Sequence, residues 1–143
     1  MSDLIDKMIF LLVLFGVALA GLRGYRLIRT RLRSMTADEL SAWLDEGRDL
    51  LILDVRNEAE YAVGHIDGAV GLPVQQLSAR LASVKSQLSA HRGTTVVLVC
   101  RSGVRSSNAL MQLEWAGLKN VHLLKGGMEA WIAQSRPICQ DAV

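Results

Sequence analysis

The chain has 143 residues and a mass of 15.7 kDa, room for one globular domain but not for two of ordinary size. Half of its residues are hydrophobic, 21% are charged and only two are proline, which excludes a disordered chain or a proline-rich linker. The net charge of +2 is unevenly divided: residues 1–35 carry six basic and two acidic side chains, residues 36–143 ten basic and twelve acidic. The folded body therefore offers no strongly positive face, and a nucleic-acid partner is not expected.

Met8 to Leu22 is a run of fifteen apolar or glycine residues without a charge. As a helix it spans roughly 22 Å, short of a hydrocarbon core of ~30 Å, and extension from Leu4 to Tyr25 closes the gap. Three readings compete for this segment. A buried core helix fits poorly, because a segment apolar on every side needs more protein around it than so small a body supplies. A cleaved signal peptide finds support in Ala18-Leu19-Ala20, a small-x-small pattern, but its positive charge should precede the apolar run. Here five arginines, Arg23, Arg26, Arg29, Arg31 and Arg33, follow it within 11 residues. That asymmetry predicts a single-pass anchor, as in a bacterial inner membrane, with the lipid bilayer as partner and the body facing the cytoplasm. Residues 1–35 are thus read as a transmembrane helix with a basic juxtamembrane segment.

From Thr36 the pattern becomes that of an α/β domain. Thr36-Ala37-Asp38-Glu39 reads as a capping box opening a short helix through Leu40, Trp43 and Leu44 that stops at Gly47. Leu50–Val55 is a continuous apolar run, as expected of a strand buried on both faces. Residues 57–66 hold a helical turn or two, and residues 68–73 a short strand. Leu77, Leu81, Val84 and Leu88 have helical spacing. Residues 94–100 form the strongest strand signal, 106–117 a helix ending at Gly117, 120–124 the last strand, and 128–134 the last helix. Strands alternating with helices imply a parallel sheet covered on both sides, with ligands bound beyond the carboxyl ends of its strands. Three places meet that rule: Asp54 with Arg56, the segment from Cys100, and Lys125-Gly126-Gly127.

The second place, Cys100-Arg101-Ser102-Gly103-Val104-Arg105-Ser106, joins the strongest strand to a good helix. A cysteine at a strand end is ordinarily a small buried hydrophobe. Here the short loop can turn its backbone N–H groups inward as an anion-binding nest, and the following helix adds the positive end of its dipole. Arg101 and Arg105 contribute full charges, and Gly103 permits a tight turn or a positive φ. Such surroundings favour a thiolate, which is the nucleophilic form.

The sequence resembles the rhodanese-like domain family in three co-linear stretches: LDVRNEAEYAVGHIDGAVGLP (53–73), CRSGVRS (100–106) and LKGGMEAW (124–131). The resemblance covers residues 36–137 and leaves 138–143 as a tail. It implies a doubly wound fold with a five-stranded parallel sheet. It also implies sulfurtransferase chemistry, in which Cys100 takes a sulfane sulfur as a persulfide and passes it to a thiol or other thiophilic acceptor. Arg105 and Arg101 would bind a small anionic sulfur donor such as thiosulfate, with Ser102, Gly103 and Val104 completing the cradle. Four residues separate Cys100 from Arg105. The phosphatases and arsenate reductases of similar fold have five, and the extra residue widens the cradle for a tetrahedral oxyanion. The tighter loop suits a sulfur atom.

The same resemblance makes Asp54 and Arg56 a structural ion pair. His65 is read as a hydrogen-bonded turn residue, Gly126-Gly127 as a tight turn into the last helix, and Trp131 as core filling. No cluster has metal-ligand spacing, so neither a metal nor another cofactor is expected. Cys139, outside every motif, is read as an incidental exposed thiol, with a resolving or sulfur-relay role as the alternative. A membrane-tethered interaction module with little turnover is the alternative for the whole chain. Intact Cys100, Gly103 and Arg105 argue against it.

Overall fold

The computed structural model describes residues 2–90 and 93–140. They fall into two compact units, one ending at Leu32 and one beginning at Arg33. The first unit is a single helix, α1 (Ser2–Leu32). It runs past the Tyr25 limit expected from hydropathy, because the arginine-rich segment holds no proline and consists largely of good helix formers. Within it, Lys7–Thr30 is long and apolar enough to cross a membrane, and no part of its apolar window is buried.

The second unit contains β1 (Ser34–Met35), α2 (Ala37–Asp45), β2 (Leu50–Asp54), α3 (Glu58–Val63), β3 (Val70–Gly71), α4 (Val74–Ala90), β4 (Thr95–Val99), α5 (Val104–Trp115), β5 (Val121–Leu124) and α6 (Gly127–Ala133). Its five strands form one parallel sheet in the order β1-β5-β4-β2-β3. The fold is thus the expected α/β arrangement, with one shift of boundary. The first strand lies before residue 36, in the segment read as juxtamembrane. Two residues carry no periodic signal, but the carbonyls of Arg33 and Met35 accept the N–H groups of Leu123 and Lys125 at 2.9 and 2.8 Å.

Strand side chains alternate between two cores, which is why the strand sequences read as unbroken apolar runs. Leu53, Val55, Val96, Leu98 and Leu123 pack against Leu77 of α4 and Leu110 and Leu113 of α5. Ile52, Val97, Val99 and Leu124 pack on the other face against Leu40 of α2 and Met128 and Trp131 of α6. Trp131 fills that core, its indole N–H donating to the Pro137 carbonyl at 2.8 Å.

Short-range signals set the helix starts. The Thr36 hydroxyl accepts the Glu39 N–H at 3.2 Å, and Glu39 accepts the Thr36 N–H at 2.7 Å. Asn57 and Glu60 make the same reciprocal pair at α3, at 2.8 and 3.1 Å. Part of the segment read as a tail is paired with the body: His65 and Cys139 exchange two backbone hydrogen bonds, at 2.9 and 2.8 Å, and residues 141–143 lie outside the described residues. The His65 ring stacks on Tyr61 at 3.9 Å, and its Nδ1 lies 3.0 Å from the Tyr61 carbonyl oxygen.

Asp54 ends β2 fully buried and binds Arg56 from both carboxylate oxygens, at 2.6 to 3.0 Å. The same guanidinium donates to the Gly64 carbonyl at 2.7 Å, tying the end of β2 to the end of α3. Removing one member of a buried pair leaves the other charge uncompensated, at a cost of about 3–5 kcal/mol. Asp54→Asn should lower the unfolding free energy by about that amount in urea titration; a loss of less than ~1 kcal/mol would contradict the bracing role.

Candidate active site

Cys100 follows β4 directly and is 1% exposed. The chain then turns through Arg101, Ser102 and Gly103 into α5. Gly103 has φ +112°, a conformation that side chains with a Cβ rarely adopt, and its N–H donates to Cys100 Sγ at 3.0 Å. The first turn of a helix leaves its N–H groups without intrahelical acceptors, so Val104, Arg105 and Ser106 open α5 with the positive end of its dipole at this loop.

The other side of the loop is held by α6. Met128 N–H donates to the Cys100 carbonyl at 2.8 Å, and Glu129 N–H to the Arg101 carbonyl at 3.1 Å. Gly127 permits this approach. A Cβ at Gly127 would stand 2.2 Å from the Cys100 carbonyl oxygen and 2.5 Å from that of Arg101, so no larger residue fits. The third strand-end motif is therefore a backbone clamp on the loop.

Arg101 on the loop and Arg105 at the start of α5 are both engaged. Arg105 is partly buried and donates from Nη1 and Nη2 to the two carboxylate oxygens of Glu60, at 2.6 and 2.7 Å. Arg101 is exposed and donates from Nε to Glu129 at 2.8 Å. Glu60 pushes the Arg105 guanidinium above its ordinary value, and charge on Cys100 acts in the same direction, so the guanidinium lies within the electrostatic reach of the sulfur. Arg105 in turn holds the Glu60 carboxyl down to about 2. Ser102 on the loop and Val104 at the start of α5 are exposed. Beside it, between α3 and α6, runs a groove of about 520 Å³ lined by Ala59, Val63 and Ile132 with Glu60, Arg101 and Glu129.

Sequence reasoning brought Cys100, Arg101, Ser102, Gly103, Val104 and Arg105 to one segment. The structure has the first four at the strand end and turn, whereas Val104 and Arg105 already lie in the first turn of α5, two residues before the helix start expected at 106. It missed Glu60 and Glu129, which stand 45 and 28 residues from their arginines. It also missed Ser106, fully buried in the first turn of α5 with a hydroxyl that finds no partner among the described residues. Cys139 is partly buried, and its thiol lies 3.4 Å from the Asp67 carboxylate, which pushes its pKa up. That setting disfavours a nucleophilic thiolate there.

A model of the rhodanese-like domain matches residues 36–134. The chain belongs to the rhodanese-like domain family. It is 38% identical over 104 residues, 73% of its length, to a probable adenylyltransferase/sulfurtransferase MoeZ of Mycobacterium tuberculosis, of which it covers 26%. It is 34% identical over 98 residues to a tRNA uridine(34) hydroxylase of Bordetella parapertussis, covering 68% of this chain and 41% of that one. Among solved structures, the thiosulfate sulfurtransferase of Pseudomonas aeruginosa superimposes with a TM-score of 0.67 at 28% identity, covering 77% of this chain and 20% of that one. The chain spans about a quarter of the MoeZ relative and less than half of the hydroxylase.

Glu60 also supplies a pH test of this candidate site. Its folded-state pKa lies below the ordinary carboxylate value of about 4.3. Its contribution to stability is therefore complete above that value and lost as pH falls through about 2. Carboxyl NMR should show Glu60 titrating near 2, and a midpoint at the ordinary glutamate value would mean the Arg105 contact is not held in solution.

Proposed function

We propose that the rhodanese-like body carries sulfane sulfur as a persulfide on Cys100, taking it from a small anionic sulfur donor such as thiosulfate and giving it to a thiol or another thiophilic acceptor. The supporting observation is the Gly103 N–H at 3.0 Å from Cys100 Sγ, at the opening of α5. It supplies a hydrogen bond to a sulfur anion where the helix dipole also favours negative charge.

The Cys100 thiolate attacks the outer sulfur of the sulfur donor. A new S–S bond forms, the sulfur–sulfur bond of thiosulfate breaks, and sulfite leaves with the bonding pair. A thiolate or cyanide acceptor then attacks the outer sulfur of the persulfide, and the Cys100 thiolate is released. The Gly103 N–H, already bonded to Cys100 Sγ, is the donor to the anionic sulfur, and the adjoining Ser102 and Val104 complete the cradle. Arg105 is gripped end-on by Glu60, which leaves its Nε–H and one hydrogen on each terminal nitrogen for a sulfur-donor oxyanion. Arg101 contributes at the exposed rim.

The full chain given thiosulfate and cyanide should form thiocyanate and sulfite. Cys100→Ser should abolish turnover, because a serine hydroxyl is not ionised there and carries no labile sulfane sulfur, whereas Cys139→Ser should leave the rate nearly unchanged. A folded wild-type chain without turnover would favour an interaction module. Release of phosphate from an aryl phosphate would favour phosphatase chemistry.

We further propose that α1 anchors the chain in a single pass with the body on the cytoplasmic side, the arginines from Arg23 to Arg33 acting as the topology signal. The full chain should remain uncleaved in the membrane fraction, and a C-terminal reporter active only in the cytoplasm should be on. A mature N-terminus at Gly21, or activity only from an outer-side reporter, would contradict the anchor.

A further inference from the structure

Arg101 on the cysteine loop and Arg105 in the first turn of α5 each already hold a carboxylate. The Glu60 carboxylate is fixed in place, since besides Arg105 it accepts the Asn57 N–H at 3.1 Å as part of the α3 capping box. Its low pKa keeps it ionised over the whole working range of pH. Glu129 stands in the first turn of α6, whose backbone is bonded to the loop carbonyls, so it too is carried by the clamp. The formal charges of the two arginines and the two glutamates cancel. Around them the surface is apolar: Val104 at the start of α5 is 72% exposed, Val63 at the end of α3 74%, and Ile132 on α6 53%. The groove of about 520 Å³ between α3 and α6 is larger than a thiosulfate ion requires.

Resting on the sulfurtransferase reading, we propose that Glu60 is a specificity-determining residue that sets the charge of the sulfur donor: it disfavours a small dianion at Arg105 and selects an organic sulfane-sulfur compound of low charge. A dianion binding the free edge of Arg105 comes within a few ångströms of the Glu60 carboxylate and is repelled by it. A monoanionic or neutral organic persulfide suffers that repulsion less, keeps the hydrogen bonds of the loop, and lays its organic group in the groove beside Ala59, Val63 and Ile132. The chemistry at Cys100 is the same for both classes. With thiosulfate, attack on the outer sulfur releases sulfite; with methanethiosulfonate, which carries one negative charge fewer, it releases methanesulfinate. In each case Cys100 retains one sulfur as a persulfide and the leaving group takes the electron pair.

The test compares these two compounds as sulfur donors to the full-length wild type and to Glu60→Gln, with cyanide as acceptor. Gln keeps an oxygen able to accept the Asn57 N–H, so the helix cap survives the change. The readout is the ratio of kcat/KM for methanethiosulfonate to that for thiosulfate, which a loss of folded protein does not move. The wild type should favour methanethiosulfonate, and Glu60→Gln should shift the ratio toward thiosulfate by roughly tenfold or more, mainly through a lower KM for thiosulfate. An unchanged ratio, with both compounds weakened together, would show that Glu60 only positions Arg105 and would overturn the charge-selection role. Absence of sulfur transfer from both compounds in both proteins would overturn the sulfurtransferase reading itself, and this inference with it.

Discussion

Two hydrogen bonds from α6 to the loop after β4 constrain everything else at the strand ends. Met128 and Glu129 bind the carbonyls of Cys100 and Arg101, and Gly127 passes so close that a single Cβ would collide with both. With those carbonyls directed into α6, the loop turns at Gly103 and presents that residue's N–H to Cys100 Sγ. A buried sulfur, a backbone donor and the start of a helix are thus brought together by backbone geometry, before any charged side chain is considered. The rigid α/β scaffold supplies the rest: β4, buried on both faces, carries the cysteine, and α5 begins where the loop ends.

Charge is layered around this backbone cradle. Asp54 and Arg56 form a buried pair that braces β2 against the end of α3. Arg105 and Glu60 form a second pair nearer the surface, and Arg101 and Glu129 a third at the exposed rim. The Arg101–Glu129 pair is exposed and contributes little to stability, whereas the Arg105–Glu60 pair is partly buried and bidentate. Cys139 stands in contrast to Cys100: its neighbour is the Asp67 carboxylate, which pushes the Cys139 pKa up, rather than a backbone N–H and a helix start.

What could be read from the sequence follows from how local each signal is. The capping box at Thr36 and Glu39 lies within four residues, and the strand at β4 is a run of consecutive apolar side chains, so both are visible without a structure. The cysteine loop is equally local, as is the positive φ of Gly103. Strand β1 is too short for any periodicity, and it pairs with β5 almost ninety residues away. Glu60 shows locally as the partner of Asn57 in a cap, but nothing nearby ties it to Arg105, 45 residues on. The clamp at Gly127 reads as a tight turn, since its close approach is to a loop distant in the chain. Long-range pairings are the part of the site that one sequence withholds, and the charge balance of the site consists of them.

The claim that Cys100 is the sulfur carrier is tested most directly by the mass of its peptide after the full chain has met thiosulfate. A gain of one sulfur atom is expected on the Cys100 peptide alone, removable by cyanide. An added sulfur on the Cys139 peptide with Cys100 unmodified would contradict the assignment.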